Sequence, residues 1–159
     1  MNKPGIFIFT GTIMMFISST SFYPGQHRNS DEIIVQDTLV KYRDGIYTGQ
    51  SQDNYSDEPY WGKARITIKK GLIAKVNFMI RDSNLHETFN SKYKKHFEGN
   101  EEYINQCKND WKGVRTYPKK LLQIKNINKI DATSGATWSY NIFRASVTEA
   151  LKKAEKHPE

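Results

Sequence analysis

Between Lys63 and Lys69, Ala64, Ile66 and Ile68 alternate with Lys63, Arg65, Thr67 and Lys69. A period of two marks a strand with one face buried. Lys70-Gly71 reads as a turn, after which Ala74, Val76, Phe78 and Ile80 resume the alternation. Two strands joined by so short a turn must be antiparallel. Further along the chain the period changes. Residues 88–97 and 100–111 read as helices, the second carrying Tyr103, Cys107 and Trp111 on one face. Pro118 suits the first turn of a short helix holding Leu121 and Leu122, and a brief strand through Ile127 and Ile130 follows. From Tyr140 to Lys156, Phe143, Val147, Ala150, Leu151 and Ala154 recur at helical spacing. The expected class is α+β, a single domain with an antiparallel sheet and packed helices.

The first 21 residues follow another rule. Lys3 precedes the apolar runs Ile6–Phe9 and Ile13–Ile17, and Ser19-Thr20-Ser21 closes the segment. One basic residue, a short apolar core and small residues make a signal peptide, with cleavage expected after Ser21. The core falls short of the roughly 20 residues of a transmembrane helix. No cysteine stands just beyond it, which excludes a bacterial lipoprotein anchor; the alternative is an uncleaved N-terminal anchor. Residues 22–40 form a polar lead-in, and the domain is expected over 41–156. The protein is therefore expected to be exported, periplasmic or extracytoplasmic.

The formal net charge of +7 becomes +6 once a leader bearing only Lys3 is removed. The lysines cluster at Lys92-Lys94-Lys95, Lys119-Lys120 and Lys152-Lys153 without a nucleic-acid motif, so nucleic acid is not an expected partner. The excess charge suits an anionic membrane surface or an acidic redox partner. The sole cysteine, Cys107, has no partner for an internal disulfide and reads as a buried structural thiol. His27, His86, His96 and His157 show no metal-ligand spacing, so no metal site is expected.

The chemistry concentrates in Asp131-Ala132-Thr133-Ser134-Gly135-Ala136-Thr137-Trp138-Ser139. Small and hydroxyl residues form a turn just before the terminal helix, so Thr137 or Ser139 is placed to cap it. A helix N-terminus offers free N–H groups and partial positive charge, which suits a phosphate, and a glycine lets a bulky ligand approach the backbone. A phosphorylated cofactor fits here, as does an ordinary helix cap.

Asp-x-x-Ser-Gly-Ala-Thr-x-Ser resembles the flavinylation motif of the FMN-binding domain family, which includes flavin-carrying subunits of sodium-pumping NADH:quinone oxidoreductase. Tyr42-Arg43-Asp44-Gly45-Ile46-Tyr47-Thr48-Gly49-Gln50-Ser51 is similar to the family's Asp-Gly-x-Tyr-x-Gly-x-Ser opening, and His86-Glu87-Thr88 to its Glu-Thr element. Phe89 and Asn90 stand where the family has Pro-Gly, and Tyr140 where it has a small hydroxyl residue. The resemblance implies that Thr137 is joined to FMN by a phosphoester bond, installed by a flavin transferase that consumes FAD. It implies that Asp131, Ser134, Gly135, Ala136 and Ser139 belong to the attachment turn, and that Asp131 is read by the transferase.

Around that turn, Trp138 is the expected ring contact, with Tyr60 and Trp61 as a wall against the isoalloxazine and His86, Glu87 and Thr88 as polar neighbours. Packing roles are the alternatives for Tyr60, Trp61 and the His86–Thr88 group. The resulting expectation is an exported flavoprotein relaying electrons from a membrane redox donor to an extracytoplasmic acceptor. An FMN-dependent reductase acting on a small substrate and a non-redox partner-binding module are the alternatives.

Overall fold

The alternation around Gly71 does form a hairpin. The computed structural model describes residues 42–51 and 59–155, which belong to one compact unit, Thr38–Glu159. Four antiparallel strands run in the order β1 (Gly45–Gln50), β2 (Tyr60–Lys69), β3 (Leu72–Asp82) and β4 (Glu87–Thr88). Two helices, α1 (Glu101–Ile124) and α2 (Thr137–Ala154), pack on one face of the sheet. This is an α+β domain. The leader, the lead-in at 22–40, His27, Lys156 and His157 lie outside the described residues.

Lys70 and Gly71 both adopt positive φ, +54° and +76°, which matches the right-handed twist of the flanking strands. The Asp44 carboxylate fastens the turn by accepting the amides of Lys70 at 2.9 Å and Gly71 at 2.7 Å. Ala64, Ile66 and Ile68 are buried as expected. On β3 the expectation needs one correction. Thr67 pairs with Lys75 but Ile68 pairs with Ile73, so Ala74 is bulged out of register. The bulge turns Ile73 into the core and Ala74 outward, a local inversion of the period of two.

Three further expectations are overturned. Residues 88–97 are not a helix: Thr88 ends β4 and only Tyr93–Phe97 forms a 3₁₀ turn. The Asn90 side chain accepts the Lys92 amide at 2.8 Å and donates to the Thr88 carbonyl, a local bonding pattern that competes with a helix. Pro118 does not open a short helix but lies inside the 24-residue α1. A proline there removes one ladder bond. The buried stripe Val114, Tyr117 and Leu121 continues past it, and that packing holds the helix together. Finally, Ile127–Lys129 is a 3₁₀ turn rather than a strand, capped by the Asn126 side chain on the Asn128 amide at 2.9 Å. Ile127 and Ile130, three residues apart, are both buried without one.

On α2, Phe143, Val147, Ala150, Leu151 and Ala154 are buried, as their spacing requires. Tyr117 and Phe143 are fully buried and stack with ring centres 5.6 Å apart, joining the two helices. A second apolar cluster gathers Ile80, Phe89, Tyr93, Cys107, Val114 and Ile142 beneath the start of α2. No helix among the described residues is long and apolar enough to cross a membrane.

Candidate functional site

The turn at residues 131–139 is held by α1. Ser134 and Gly135 form its bend, Gly135 has φ +73°, and the Ala136 amide donates to the Thr133 carbonyl at 2.9 Å. A Cβ on Gly135 would stand 2.8 Å from Asn109 Nδ2 of α1 and push that amide aside, while the positive φ would strain any side chain. The helix starts at Thr137, with Ala136 in the capping position and no side-chain cap bond. The expected hydroxyl cap is therefore absent. Thr137 is exposed, and the buried Ser139 hydroxyl donates back to the Ala136 carbonyl at 3.1 Å.

A carboxylate from the neighbouring helix does the capping. Asp110, 2 % exposed, accepts the Ser139 amide on Oδ1 at 3.0 Å. Its Oδ2 accepts Gln106 Nε2 at 2.6 Å, and the same Gln106 nitrogen donates to the Gly135 carbonyl at 2.9 Å. Two turns along α1, the Tyr117 hydroxyl donates to the Ala136 carbonyl at 2.9 Å and accepts the Thr133 amide at 3.0 Å. Gly113 makes room for this contact, since a Cβ there would lie 2.6 Å from Ser139 Oγ and 3.0 Å from Ala136 Cβ. Lys120 reaches Thr133 Oγ1 at 3.3 Å, and Tyr140 donates to the Ile130 carbonyl at 2.5 Å.

With the Ser139 amide on Asp110 and the Tyr140 amide on the Ala136 carbonyl at 3.1 Å, two amides of the first turn are already engaged. The helix end is thus a smaller phosphate seat than its sequence position implies.

Beside the turn lies a cavity of about 290 Å³, walled by Tyr60, Phe89, Tyr93 and Trp138, with Cys107 and Asp110 contributed by α1. Tyr60 and Phe89 meet Trp138 edge-on, with ring centres 5.1 and 5.3 Å away. Behind them the Tyr60 and Tyr93 hydroxyls are 3.1 Å apart, and Tyr93 donates a short bond to the buried Asp82. Burial opposes ionisation of Asp82. Bonds from Tyr93 and from the Leu85 and Asn84 amides, with His96 nearby, outweigh it and hold the carboxyl below its ordinary range. Burial, followed by the Asp110 charge, pushes the Cys107 thiol up, in keeping with a structural thiol.

Of the residues singled out in the sequence, the structure brings Trp138 and Tyr60 together beside Thr137. Ser134, Gly135 and Asp131 are exposed on the turn, and Ala136 is buried beneath it. Trp61 follows Tyr60 in the same strand, pairs with Arg81 and belongs to the opposite face of the sheet. His86 occupies an exposed turn with φ +54°, where its carbonyl accepts Arg81 at 3.3 Å. Glu87 pairs with Lys95 at 2.8 Å and His96 at 3.1 Å, and the Lys95 bond chiefly keeps its carboxyl below the ordinary range. Thr88 pairs with Arg81 across β3 and β4. None of these last four lines the cavity. Phe89, Tyr93, Asp82, Gln106, Asp110 and Tyr117 were not anticipated. The visible clue was a polar i, i+4 pair, Gln106 and Asp110, on an otherwise buried helix face.

Residues 60–152 match the FMN-binding domain family, more than half of the chain. The chain belongs to the FMN-binding domain family. Both the attachment turn and the aromatic cavity fall inside the matched residues, whereas β1 precedes them. The fold is similar to the crystal structure of the CPE2226 protein from Clostridium perfringens, with a TM-score of 0.55 and 21% identity, over 71% of this chain and 88% of that one. No curated protein matches the chain. The residues of this FMN-binding domain fit the cofactor. An apolar, aromatic-walled cavity suits a flat ring, and the exposed Thr137 adjoins Trp138 of that wall. Among the described residues no group of His, Cys, Asp and Glu could hold a metal ion.

Proposed function

We propose that this FMN-binding domain is an exported flavoprotein that carries FMN on Thr137 and passes electrons outside the cytoplasm. The observation that carries the reading is a contrast between two hydroxyls. Thr137 is exposed at the first position of α2, while Ser139, two residues on, is buried and bonded to the Ala136 carbonyl. Only the first is open to a modifying enzyme. In the attachment step the Thr137 oxygen bonds to the FMN phosphorus of FAD, the pyrophosphate bridge breaks, AMP leaves and the hydroxyl proton goes to a base of the transferase.

FMN supplies the redox chemistry when bound, and the domain supplies attachment, orientation and electrostatics. A cavity of about 290 Å³ is at the lower end of ligand pockets, small for a ring and a second reactant together. That size favours a carrier between a membrane donor and an extracytoplasmic acceptor over a reductase with its own substrate. Covalent attachment also suits an exported protein, because FMN lost outside the cytoplasm is not replaced. The intact mass of protein from a host containing the transferase tests the reading. A gain of one esterified FMN is expected, and an unmodified mass with no yellow colour contradicts it.

A further inference from the structure

Three side chains behind the cavity form a hydrogen-bond chain with a fixed direction. Asp82 is 2 % exposed, its Oδ1 accepts the amides of Asn84 at 2.8 Å and Leu85 at 3.0 Å, and its Oδ2 accepts the Tyr93 hydroxyl. Both oxygens are thus placed to accept, as the ionised carboxylate does, and these bonds hold the carboxyl below its ordinary range. Tyr93 has one proton and gives it to Asp82. The Tyr93 oxygen must then accept from Tyr60, 3.1 Å away. Every proton in the chain is drawn inward, toward the Asp82 charge. Tyr60 meets Trp138 edge-on at 5.1 Å, directly beside the attachment residue.

We propose that Asp82, acting through Tyr93 and Tyr60, is a positioning residue that lowers the midpoint potential of the bound FMN and favours the protonated form of the reduced flavin. The proposal rests on the reading that FMN occupies this cavity. Two-electron reduction by a donor protein takes up two protons from water to give the neutral reduced flavin, or one to give its anion. A fixed negative charge behind the aromatic wall disfavours the anion. The pH at which the reduced flavin loses its proton therefore rises.

The charge is stable near neutrality. Hydrogen bonds keep Asp82 below the ordinary carboxylate range despite its burial, while burial and the bonds to Asp82 and Tyr60 push the Tyr93 phenol far above the ordinary tyrosine value. The other titratable groups around the chain are Tyr103, Cys107 and Asp110 from α1 and, behind Tyr93, His96 with its partner Glu87. His96→Gln controls for the His96–Glu87 pair, and Asp110→Asn for the charge on α1.

Asp82→Asn keeps the shape and reverses the polarity, because its Nδ2 donates to the Tyr93 oxygen and frees the Tyr93 proton for Tyr60. The test is the midpoint potential as a function of pH for the full flavinylated chain, as parent, Asp82→Asn, Tyr93→Phe and Tyr60→Phe. The proposal expects every variant to raise the potential and to move the break in its pH dependence to lower pH, Asp82→Asn most, each read on protein of known flavin load from a denaturing gel. Should Asp82→Asn or Tyr93→Phe fail to fold by circular dichroism, Tyr60→Phe cuts the outermost link and gives the same readout. Ultraviolet titration of the flavin-free Thr137→Val protein is expected to show one tyrosine ionising far above the rest, absent in the double variant with Tyr93→Phe. Variants with the parent's flavin load and an unmoved potential and break overturn the proposal alone. A parent that takes up no FMN overturns the functional reading first, and the proposal with it.

Discussion

The Asp110 carboxylate of α1 accepts the backbone N–H of Ser139 in the first turn of α2, at 3.0 Å. This bond joins the two helices at the place where the attachment turn ends, and it replaces a cap that the turn's own hydroxyls do not make. Asp110→Ala leaves the buried Ser139 amide without its acceptor and removes one of the two acceptors of Gln106. A loss of about 1–3 kcal/mol in unfolding free energy is expected, measured by urea titration. Asp110→Asn keeps one acceptor oxygen, and its loss should be smaller.

Tyr117 ties the other end of the turn, bridging the Thr133 amide and the Ala136 carbonyl. Tyr117→Phe keeps the ring in the core and removes both bonds, at an expected cost of about 1–3 kcal/mol. Gly113→Ala tests the same junction by space, since its Cβ would lie 2.6 Å from Ser139 Oγ and 2.7 Å from the Tyr117 ring. Overpacking of this kind costs about 1–3 kcal/mol. Both variants should also slow flavin attachment in a time course with the transferase, because the acceptor turn is less rigidly presented.

Much of this architecture is legible in the sequence because burial there follows a simple period. Ile66 and Ile68 on β2, and Phe143 and Val147 on α2, announce their elements. The bulge at Ala74 is invisible because both readings of that stretch keep apolar residues inward, and only pairing with Ile68 chooses Ile73. Pro118 misleads because a local penalty is offset by a buried stripe on either side of it. The turn at residues 134–137 is legible as a motif, but its support is not. Gln106, Asp110 and Tyr117 lie 20 to 31 positions upstream of Thr137, and only the packing of α1 on α2 brings them to the turn.

Asp82 gives the fold a defined response to acid. Its carboxyl lies below the ordinary value in the folded chain, so its contribution to stability is complete above the unfolded value of about 4. It is lost as pH falls through the lower folded value. Thermal melts across acidic pH should show the parent more stable than Asp82→Asn near neutrality, with the gap closing as pH drops. A gap that widened in acid would contradict the assignment.

Export makes its own demand. The mature protein should begin near Phe22 when produced in a secreting host, with residues 1–21 removed. N-terminal sequencing of the exported fraction checks this, and retention of residues 1–21 in the membrane fraction would count against the leader reading.

The central claim is that Thr137 carries the flavin, and in-gel fluorescence after denaturation tests it most directly. Protein coexpressed with the transferase is compared as parent, Thr137→Val, Ser134→Ala and Asp131→Ala. Thr137 is exposed and caps nothing, so Thr137→Val should stay within about 0.5 kcal/mol of the parent's stability. The account predicts a bright parent band, no fluorescence from Thr137→Val, a weaker band from Asp131→Ala and the mildest effect from Ser134→Ala. A Thr137→Val band as bright as the parent, or its complete loss in Ser134→Ala alone, would contradict it.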